Sequence, residues 1–241
     1  MFGIYTRLKT MVKRVVKSGP VQAWRDPNFI DVRTLLKELT VEELCDTAEN
    51  YFARINDPEY QLAKPFGSIT ECPELLMCLA QVLHGLRPAP GMTVLDFGAG
   101  TCWTSRFLTQ LGCRVIAMDV SPSALKIGKQ LFERQPVIGD RPKPQFMVFD
   151  GHRMDLPNAS VDRILCYDMF HHVPNPDQVL AEMGRVLNDG GIAGFSEPGP
   201  DHSKMPQSQA EMRNHKVIEN DIDIRAIWDA ASRSGFSDIQ L

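Results

Sequence analysis

The residues best suited to chemistry form a short turn in the middle of the chain. Gly98 and Gly100 follow the apolar segment 92–97, and Asp96 lies two residues before Gly98. Glycine permits a tight turn and a close approach of the backbone to a ligand. Asp119 ends the next apolar segment, 21 residues after Gly98. An acid at this place in an α/β sheet accepts hydrogen bonds from ribose hydroxyls, so the pattern predicts a nucleoside-containing ligand.

Two classes of cofactor are compatible with such a turn. In a dinucleotide-binding G-x-G-x-x-G motif the third glycine would fall at Trp103, which is too bulky for close packing of helix on strand. Asp96 adds a negative charge, which opposes a pyrophosphate but attracts an ammonium or sulfonium group. An NAD(P)-dependent oxidoreductase is therefore the disfavoured alternative, and a cofactor-binding module without catalysis is a third possibility.

The elements that position the turn follow from hydrophobic patterning. Apolar segments alternate with amphipathic ones after residue 91, which predicts an α/β fold with a doubly wound, mostly parallel sheet. The predicted strands are 92–97, 114–119, 145–150, 161–168, 192–197 and 236–241. The predicted helices of this part are 101–111, 121–134, 176–187 and 222–234, with a loop at 198–209.

Residues 1–87 are predicted to form a helical extension that precedes a domain over 88–241. A capping box, Thr40 to Glu43, opens a helix to about residue 55, and a second helix spans about 70–86. We expect both helices to cover the cofactor edge. Residues 2–17 predict a basic amphipathic helix, which docks on the body, contacts an anionic membrane surface or is a presequence, in that order of preference.

The charge distribution limits the class of partner. The chain holds 26 basic and 30 acidic side chains, and its first 25 residues carry six of the basic ones and no acid. The remaining residues therefore have a net charge of −10, which argues against a nucleic-acid partner. No apolar segment has membrane-spanning length and no secretory signal is apparent, so we expect a cytoplasmic protein, with membrane association through residues 2–17 as an alternative to docking.

The cysteines give no sign of a metal site. None of the six forms a C-x-x-C pair, and no cysteine–histidine group has zinc-site spacing, so no metal is expected from spacing. The thiols are expected to be reduced and partly buried.

Several segments together resemble a known family. They read VLDFGAGT, VIAMDVSPSAL, FDGHRMDLP and VDRILCYDMFHHVPNPDQVLAEMGRVLNDGGIAGFSEP. They resemble the class I S-adenosylmethionine-dependent methyltransferases, in particular the group that includes the ubiquinone and menaquinone biosynthesis methyltransferases, over about residues 88–241. The resemblance implies S-adenosylmethionine as cofactor and methyl transfer to an O, N or C nucleophile of a small or lipid-like molecule.

The resemblance also implies roles for individual residues. Those implied to cradle the methionine end of the cofactor are Asp96, Gly98, Ala99 and Gly100. Those implied at its ribose and adenine are Asp119, Val120, Asp150, Gly151 and His152. Those implied beside the reacting methyl group are Cys166, Tyr167 and Asp168. His171 and His172 would face the acceptor as candidate bases, because histidine titrates near neutral pH.

Other polar side chains are weaker candidates. Glu197 follows the fifth predicted strand and is a candidate for the acceptor site, with a solvated or capping role as the alternative. His84, His202 and His215 are interpreted as surface or structural residues.

Two departures from the family pattern stand out. Cys102 occupies the place of the last glycine in the family's DxGxGxG motif, and we expect cofactor binding to survive this change. The chain also stops at the sixth predicted strand, before the family's usual hairpin and seventh strand. We therefore expect a truncated chain whose sheet lacks its C-terminal strands and exposes an edge.

Overall fold

A five-stranded parallel sheet forms the centre of the protein. A computed structural model describes residues 27–240. The strands are β1 (Thr93–Phe97), β2 (Arg114–Asp119), β3 (Gln145–Val148), β4 (Val161–Tyr167) and β5 (Leu187–Ser196). Their order is β3-β2-β1-β4-β5 and every neighbouring pair is parallel, which confirms the predicted doubly wound α/β fold. The strand order reverses between β1 and β4, and ligands bind at such a switch point at the carboxyl ends of the strands.

Helices cover both faces of this sheet. The helices are α1 (Val32–Glu38), α2 (Val41–Ala53), α3 (Glu59–Leu62), α4 (Cys72–Leu86), α5 (Trp103–Gln110), α6 (Pro122–Arg134), α7 (Pro176–Val186), α8 (Pro206–His215) and α9 (Ile224–Arg233). One core packs α4, α5 and α6 on the sheet, and the other packs α7 and α9 on its opposite face. A smaller cluster joins α1, α2 and α8.

The alternation of side chains along β1 decides where its acid lies. Leu95 and Phe97 belong to the core under α7, whereas Val94 belongs to the core under α4, α5 and α6. Because successive side chains of a strand point to opposite faces, Asp96 shares the face of Val94. The acid of the glycine turn is therefore buried beneath α5 rather than exposed at the end of the strand.

Three predictions about the elements were wrong. Residues 236–240 form no strand, because the N–H of Phe236 donates to the carbonyl of Ala231 and its ring packs on the core. The predicted loop at 198–209 instead contains the start of α8. The sequence of this helix is mostly polar, and its Met212 is buried in the smaller cluster. β5 begins at Leu187 rather than at residue 192, and an irregularity in its register with β4 accommodates the two glycines.

The helix at about 70–86 also lies elsewhere than expected. It forms as α4, but Val82 and Leu86 pack over Gly194 of β5, so this helix belongs to the layer that covers the sheet. The apolar side of α4 packs on the face formed by β4 and β5. The sequence alone did not predict which surface this helix would cover. α2 does lie at the carboxyl edge of the sheet. Residues 2–17 lie outside the described residues, and no described helix is long and apolar enough to cross a membrane.

Candidate active site

The glycine turn is held against the neighbouring strand. Gly98 and Gly100 have φ values of +71° and +51°, in the left-handed region that favours glycine. The N–H groups of Gly98 and Ala99 both donate to the carbonyl of Met118 on β2, at 2.8 and 2.9 Å. The turn therefore has a fixed position between the ends of β1 and β2.

Asp96 fastens the turn to the helix that follows it. Its carboxylate is 1% exposed and accepts hydrogen bonds from the hydroxyls of Thr104 (2.8 Å) and Ser105 (2.5 Å) in α5. Burial raises the pKa of Asp96 to about 6, against the hydrogen bonds from Ser105 and Thr104, which lower it. Asp96 thus places a buried, titratable carboxylate two residues before Gly98, against the first turn of α5.

Asp119 closes the turn from the other strand. Its Oδ2 accepts the N–H of Gly100 at 2.7 Å, and its Oδ1 accepts the N–H of Ser121 at 2.8 Å. Burial raises its pKa also to about 6, against these two hydrogen bonds. Each carboxylate oxygen has two acceptor positions, so both oxygens retain capacity for a ligand hydroxyl.

Met169 lies directly over the turn. A Cβ built on Gly98 would lie 2.0 Å from Met169 Cγ and 2.4 Å from its Cε. Only a glycine fits under this side chain. The space next to the Gly98 backbone, where the methionine end of a cofactor is expected, is therefore filled by Met169 in this structure.

Helix α2 covers the same edge further along. The carboxylate of Glu49 accepts hydrogen bonds from the hydroxyls of Ser121 (2.6 Å) and Ser123 (2.6 Å) and from the N–H of Ser123 (3.0 Å), at the start of α6. Phe52 lies 4.0 Å from a Cβ built on Gly100. Sequence reasoning missed Glu49, since no motif distinguishes it from the other acids of α2.

The residues after β3 lie beneath α2 as well. Gly151 has a φ of +89°, and a Cβ there would lie 2.8 Å from Val41 Cγ1 and 2.9 Å from Cys45 Sγ. Asp150 accepts the N–H groups of Arg153 (2.7 Å) and His152 (2.8 Å), which lower its pKa. The carboxylate of Asp150 is exposed at the sheet edge.

His152 and Val120 are the remaining two residues that the resemblance places beside the adenine. The Nε2 of His152 lies 2.8 Å from Glu42 Oε1 of α2, so this side chain joins the loop to the covering helix. Val120 is partly buried and packs against the core under α7.

The end of β4 presents three side chains with different surroundings. Cys166 is fully buried, with its Sγ 3.7 Å from Glu197 Oε1. Tyr167 donates its hydroxyl to the carbonyl of Leu75, 2.9 Å away. Asp168 is exposed with a φ of +52°, which makes it the residue of this group that is open to a ligand.

Glu197 orders the short helix Phe170–His172 after β4. Its Oε1 accepts the N–H groups of Met169 (3.0 Å) and Phe170 (2.8 Å), and its Oε2 lies 2.7 Å from His171 Nδ1. Burial lowers the pKa of His171, but the hydrogen bond to Glu197 and the nearby carboxylate charges together raise it above the ordinary value. Glu197 therefore has a capping and orienting role, the second of its two predicted roles.

A second buried carboxylate, Glu219, faces the two histidines. Its Oε2 lies 3.7 Å from His171 Nε2 and 2.6 Å from His202 Nε2. His172 Nδ1 lies 2.6 Å from the carbonyl oxygen of Ile218 and 3.9 Å from Glu219 Oε1. Sequence reasoning missed Glu219 and gave His202 only a surface or structural role, because the approach of residues 202 and 219 to residue 171 depends on the path of the chain around α8.

Comparison with known proteins identifies the family. A family model described as a methyltransferase domain matches residues 95–195, from β1 to the end of β5. Residues 95–195 form a class I S-adenosylmethionine-dependent methyltransferase domain. The family and the cofactor class predicted from the sequence are therefore confirmed.

Curated relatives share moderate identity with this methyltransferase. The demethylmenaquinone methyltransferase of Renibacterium salmoninarum is 32% identical over 120 residues, which is 48% of this chain and 47% of that protein. The human thiol S-methyltransferase TMT1B is 30% identical over 166 residues, 66% of each chain. The chain thus spans about half the length of the first relative and about two thirds of the second.

Solved structures show the same fold at low identity. The phosphoethanolamine N-methyltransferase 2 of Haemonchus contortus, solved with phosphomonomethylethanolamine and S-adenosylhomocysteine, gives a TM-score of 0.65 at 19% identity and covers 85% of this chain and 46% of that one. The cyclopropane synthase MmaA2 of Mycobacterium tuberculosis gives 0.63 at 16% identity and covers 80% and 75%. These likenesses concern the fold alone.

The geometry of this methyltransferase fits its cofactor class. The left-handed Gly98 and Gly100, the buried charge of Asp96 and the carboxylate of Asp119 lie together at the switch point of the sheet. Met169 fills the space over Gly98, and α2 lies over the neighbouring positions. Cofactor binding next to the Gly98 backbone therefore requires the Met169 side chain to move.

Proposed function

We propose that this chain transfers a methyl group from S-adenosylmethionine to an O, N or C nucleophile of a small or lipid-like acceptor. The observation that carries the proposal is the hydrogen bond from the Gly100 amide to Asp119, which holds the glycine turn and the ribose-binding acid together at the strand switch point. When bound, S-adenosylmethionine supplies an electrophilic methyl group on a positively charged sulfur.

The residues at this edge act chiefly by binding and orientation. The backbone of Gly98 and Gly100 permits close approach, Asp119 accepts the ribose hydroxyls, and the negative charge of Asp96 favours a cationic ligand. Helix α2 excludes water from the covered edge. Positioning of the nucleophile close to the methyl group supplies most of the rate enhancement in such a transfer.

The histidines after β4 receive a proton only where the acceptor must lose one. The Nδ1 of His171 is fixed by Glu197, which leaves Nε2 as its second titrating nitrogen. His172 is partly exposed, with its Nδ1 next to the carbonyl of Ile218. These contacts support the two histidines as candidates for this role over the more distant His84.

The names of the relatives support the class of acceptor. They include methyltransferases of demethylmenaquinone, of a sterol, of thiols and of malonyl-[acyl-carrier protein]. These acceptors are small or lipid-like, and none is a nucleic acid. The net negative charge of the chain agrees with this class.

Two measurements test the proposal. Calorimetric titration of the purified chain with S-adenosylmethionine, S-adenosylhomocysteine and NAD⁺ should show binding of the first two and none of the third. Incubation with methyl-labelled S-adenosylmethionine and separate quinone, thiol, amine and fatty-acyl acceptors should then label one class. Binding of NAD⁺ alone would overturn the assignment, and cofactor binding without transfer to any acceptor would favour a non-catalytic module.

Peripheral membrane contact through residues 2–17 is the second part of the proposal. Their basic side chains and apolar stripe support binding to an anionic surface, with docking on the body as the alternative. Co-sedimentation with vesicles that contain phosphatidylserine, against neutral vesicles, tests it. The double variant Lys13→Glu and Arg14→Glu should lose the anionic preference; equal sedimentation of variant and wild type would contradict it.

A further inference from the structure

We propose that His171, His172 and Glu219 form a binding site for a divalent transition-metal ion of the Zn²⁺ or Fe²⁺ class. Each of the three offers one ligand atom, and these atoms lie within 4.8 Å of one another. The Nε2 of His171 and the Oε2 of Glu219 are 3.7 Å apart. Two ligands bonded to one ion at about 2.0–2.2 Å, at a tetrahedral or octahedral angle, are separated by a distance of this order.

The outer contacts of the two imidazoles support this assignment. The Nδ1 of His171 lies 2.7 Å from the carboxylate of Glu197, and the Nδ1 of His172 lies 2.6 Å from the carbonyl oxygen of Ile218. A carbonyl only accepts hydrogen bonds and an ionised carboxylate does the same, so in each ring Nδ1 carries the proton. The lone pair of each neutral ring is therefore on Nε2. In His171 this nitrogen faces Glu219, 3.7 Å from its Oε2. The ring of His172 lies beside the same carboxylate, with its Nδ1 3.9 Å from Oε1. Histidines that bind metal ions are usually fixed in this way.

Glu219 has an outer contact of the same kind. Its Oε2 lies 2.6 Å from Nε2 of His202, and that contact fixes the carboxylate. Oε2 keeps a second acceptor position toward His171 Nε2, and Oε1 accepts no hydrogen bond among the described contacts. His202 is placed by Ser208, whose hydroxyl is 3.4 Å from the same nitrogen. All three proposed ligands thus have an orienting partner outside the ligand set.

The ligand types select the class of ion. Two imidazoles and one carboxylate suit Zn²⁺ and Fe²⁺, whereas Mg²⁺ and Ca²⁺ prefer oxygen ligands alone. Three protein ligands leave at least one coordination position open. His171 and Glu219 are buried, and the 34% exposure of the His172 side chain gives the site its opening to solvent.

The position of the site gives an ion a role next to the methyl donor. The cluster follows β4 directly, and Met169, two residues before His171, covers Gly98. An ion there would bind the oxygen or sulfur of an acceptor and lower the pKa of that group, so that the acceptor's proton passes to solvent before attack. In the metal-bound protein the two histidines are then ligands of the ion and no longer accept this proton. This role rests on the proposed methyl transfer, whereas binding of the ion does not.

The test uses the full chain, stripped of metal with a chelator and titrated with Co²⁺ and then with Zn²⁺. We expect one ion per chain, visible Co²⁺ absorption bands, and loss of these bands when Zn²⁺ replaces Co²⁺. Glu219→Gln should weaken binding at least 100-fold, because the amide lacks the ligating charge. Glu197→Gln removes an outer contact and should weaken binding about 10–100-fold.

A matched control and a parallel measurement make the result decisive. His84→Ala alters an exposed histidine of α4 and should bind Co²⁺ as the wild type does. Far-ultraviolet circular dichroism of each variant confirms that the fold is retained, and S-adenosylmethionine binding by the same metal-free sample tests the proposed function separately. Absence of Co²⁺ binding by the wild type, or equal binding by wild type and Glu219→Gln, would overturn the metal site whatever the cofactor result.

Discussion

The thiol of Cys102 lies in space that Gly128 leaves open on the facing helix. A Cβ built on Gly128 would lie 2.4 Å from Cys102 Sγ and 2.9 Å from its Cβ. Cys102 is fully buried, at a φ of +64°, where the family motif has its last glycine. The side chain of Cys102 therefore fits because residue 128 of α6 is a glycine. This explains how the turn tolerates a cysteine where the family motif has a glycine.

This relationship predicts the outcome of a mutant cycle. Gly128→Ala should lower the free energy of unfolding by roughly 1–3 kcal/mol, because overpacking outweighs the gain in helix propensity. Adding Cys102→Gly should recover most of that loss, since it removes the thiol and suits the positive φ. Urea unfolding of the four proteins measures the coupling. Additive effects of the two changes would contradict a direct contact.

Because the Met169 side chain lies over Gly98, substitutions of these two residues should have opposite effects on the affinity for S-adenosylmethionine. Gly98→Ala should weaken S-adenosylmethionine binding at least tenfold, because its methyl group would lie 2.0 Å from Met169 Cγ at a φ that disfavours alanine. Met169→Ala should strengthen binding several-fold, because the cofactor no longer displaces this side chain. Calorimetry measures both, with Met77→Ala at an exposed methionine as the control. Weaker binding by Met169→Ala would mean that the thioether contacts the cofactor instead.

The hydrogen bonds of Glu49 predict a change in cofactor release. Glu49→Gln keeps the shape of the side chain but loses the charge that accepts from Ser121 and Ser123. We expect S-adenosylhomocysteine to dissociate about five- to tenfold faster, because α2 is held less firmly over the site. Stopped-flow displacement measures the rate. Asp46→Asn, an exposed acid of the same helix, is the matched control and should leave the rate unchanged.

Local patterning located the five strands of the sheet and the ends of most helices, but it also predicted a strand at 236–241 that does not form. The glycine turn, the capping box at Thr40 and the proline at the start of α6 each depend on neighbours in sequence, and each forms as predicted. The helix α8 escaped prediction because it buries few residues and its sequence is polar. Its stability depends on Met212 contacting α1 and α2, which lie more than 150 residues earlier in the chain.

The residues of the candidate site also fall into two groups, those that the sequence could locate and those that it could not. The residues of the turn and the histidines after β4 could be located from motifs, since their positions follow from single strand ends. Glu49 and Glu219 could not, because each reaches the site from an element far along the chain. The burial of Asp96 was also beyond sequence reasoning, since it depends on which face of β1 α5 covers.

The pKa values of Asp96 and Asp119 predict how pH affects binding and stability. Burial raises both to about 6, so both carboxylates are charged at pH 7.5 and largely protonated near pH 5. A cationic ligand favours the charged forms, so the affinity for S-adenosylmethionine should be level above about pH 6.5 and fall below pH 6, by up to about tenfold per pH unit for each group.

Stability should change in the opposite direction over this range. The folded state binds these two protons more tightly than the unfolded chain, whose carboxyls titrate near 3.8. The contribution of the two acids to the free energy of unfolding is therefore fully present below about pH 4 and is lost as pH rises to about 6. Asp96→Asn should remove part of this slope in urea unfolding. Calorimetric titrations at pH 7.5, 6 and 5 measure the binding arm, and an affinity for S-adenosylmethionine that stays constant over these three values would show that neither charge faces the ligand.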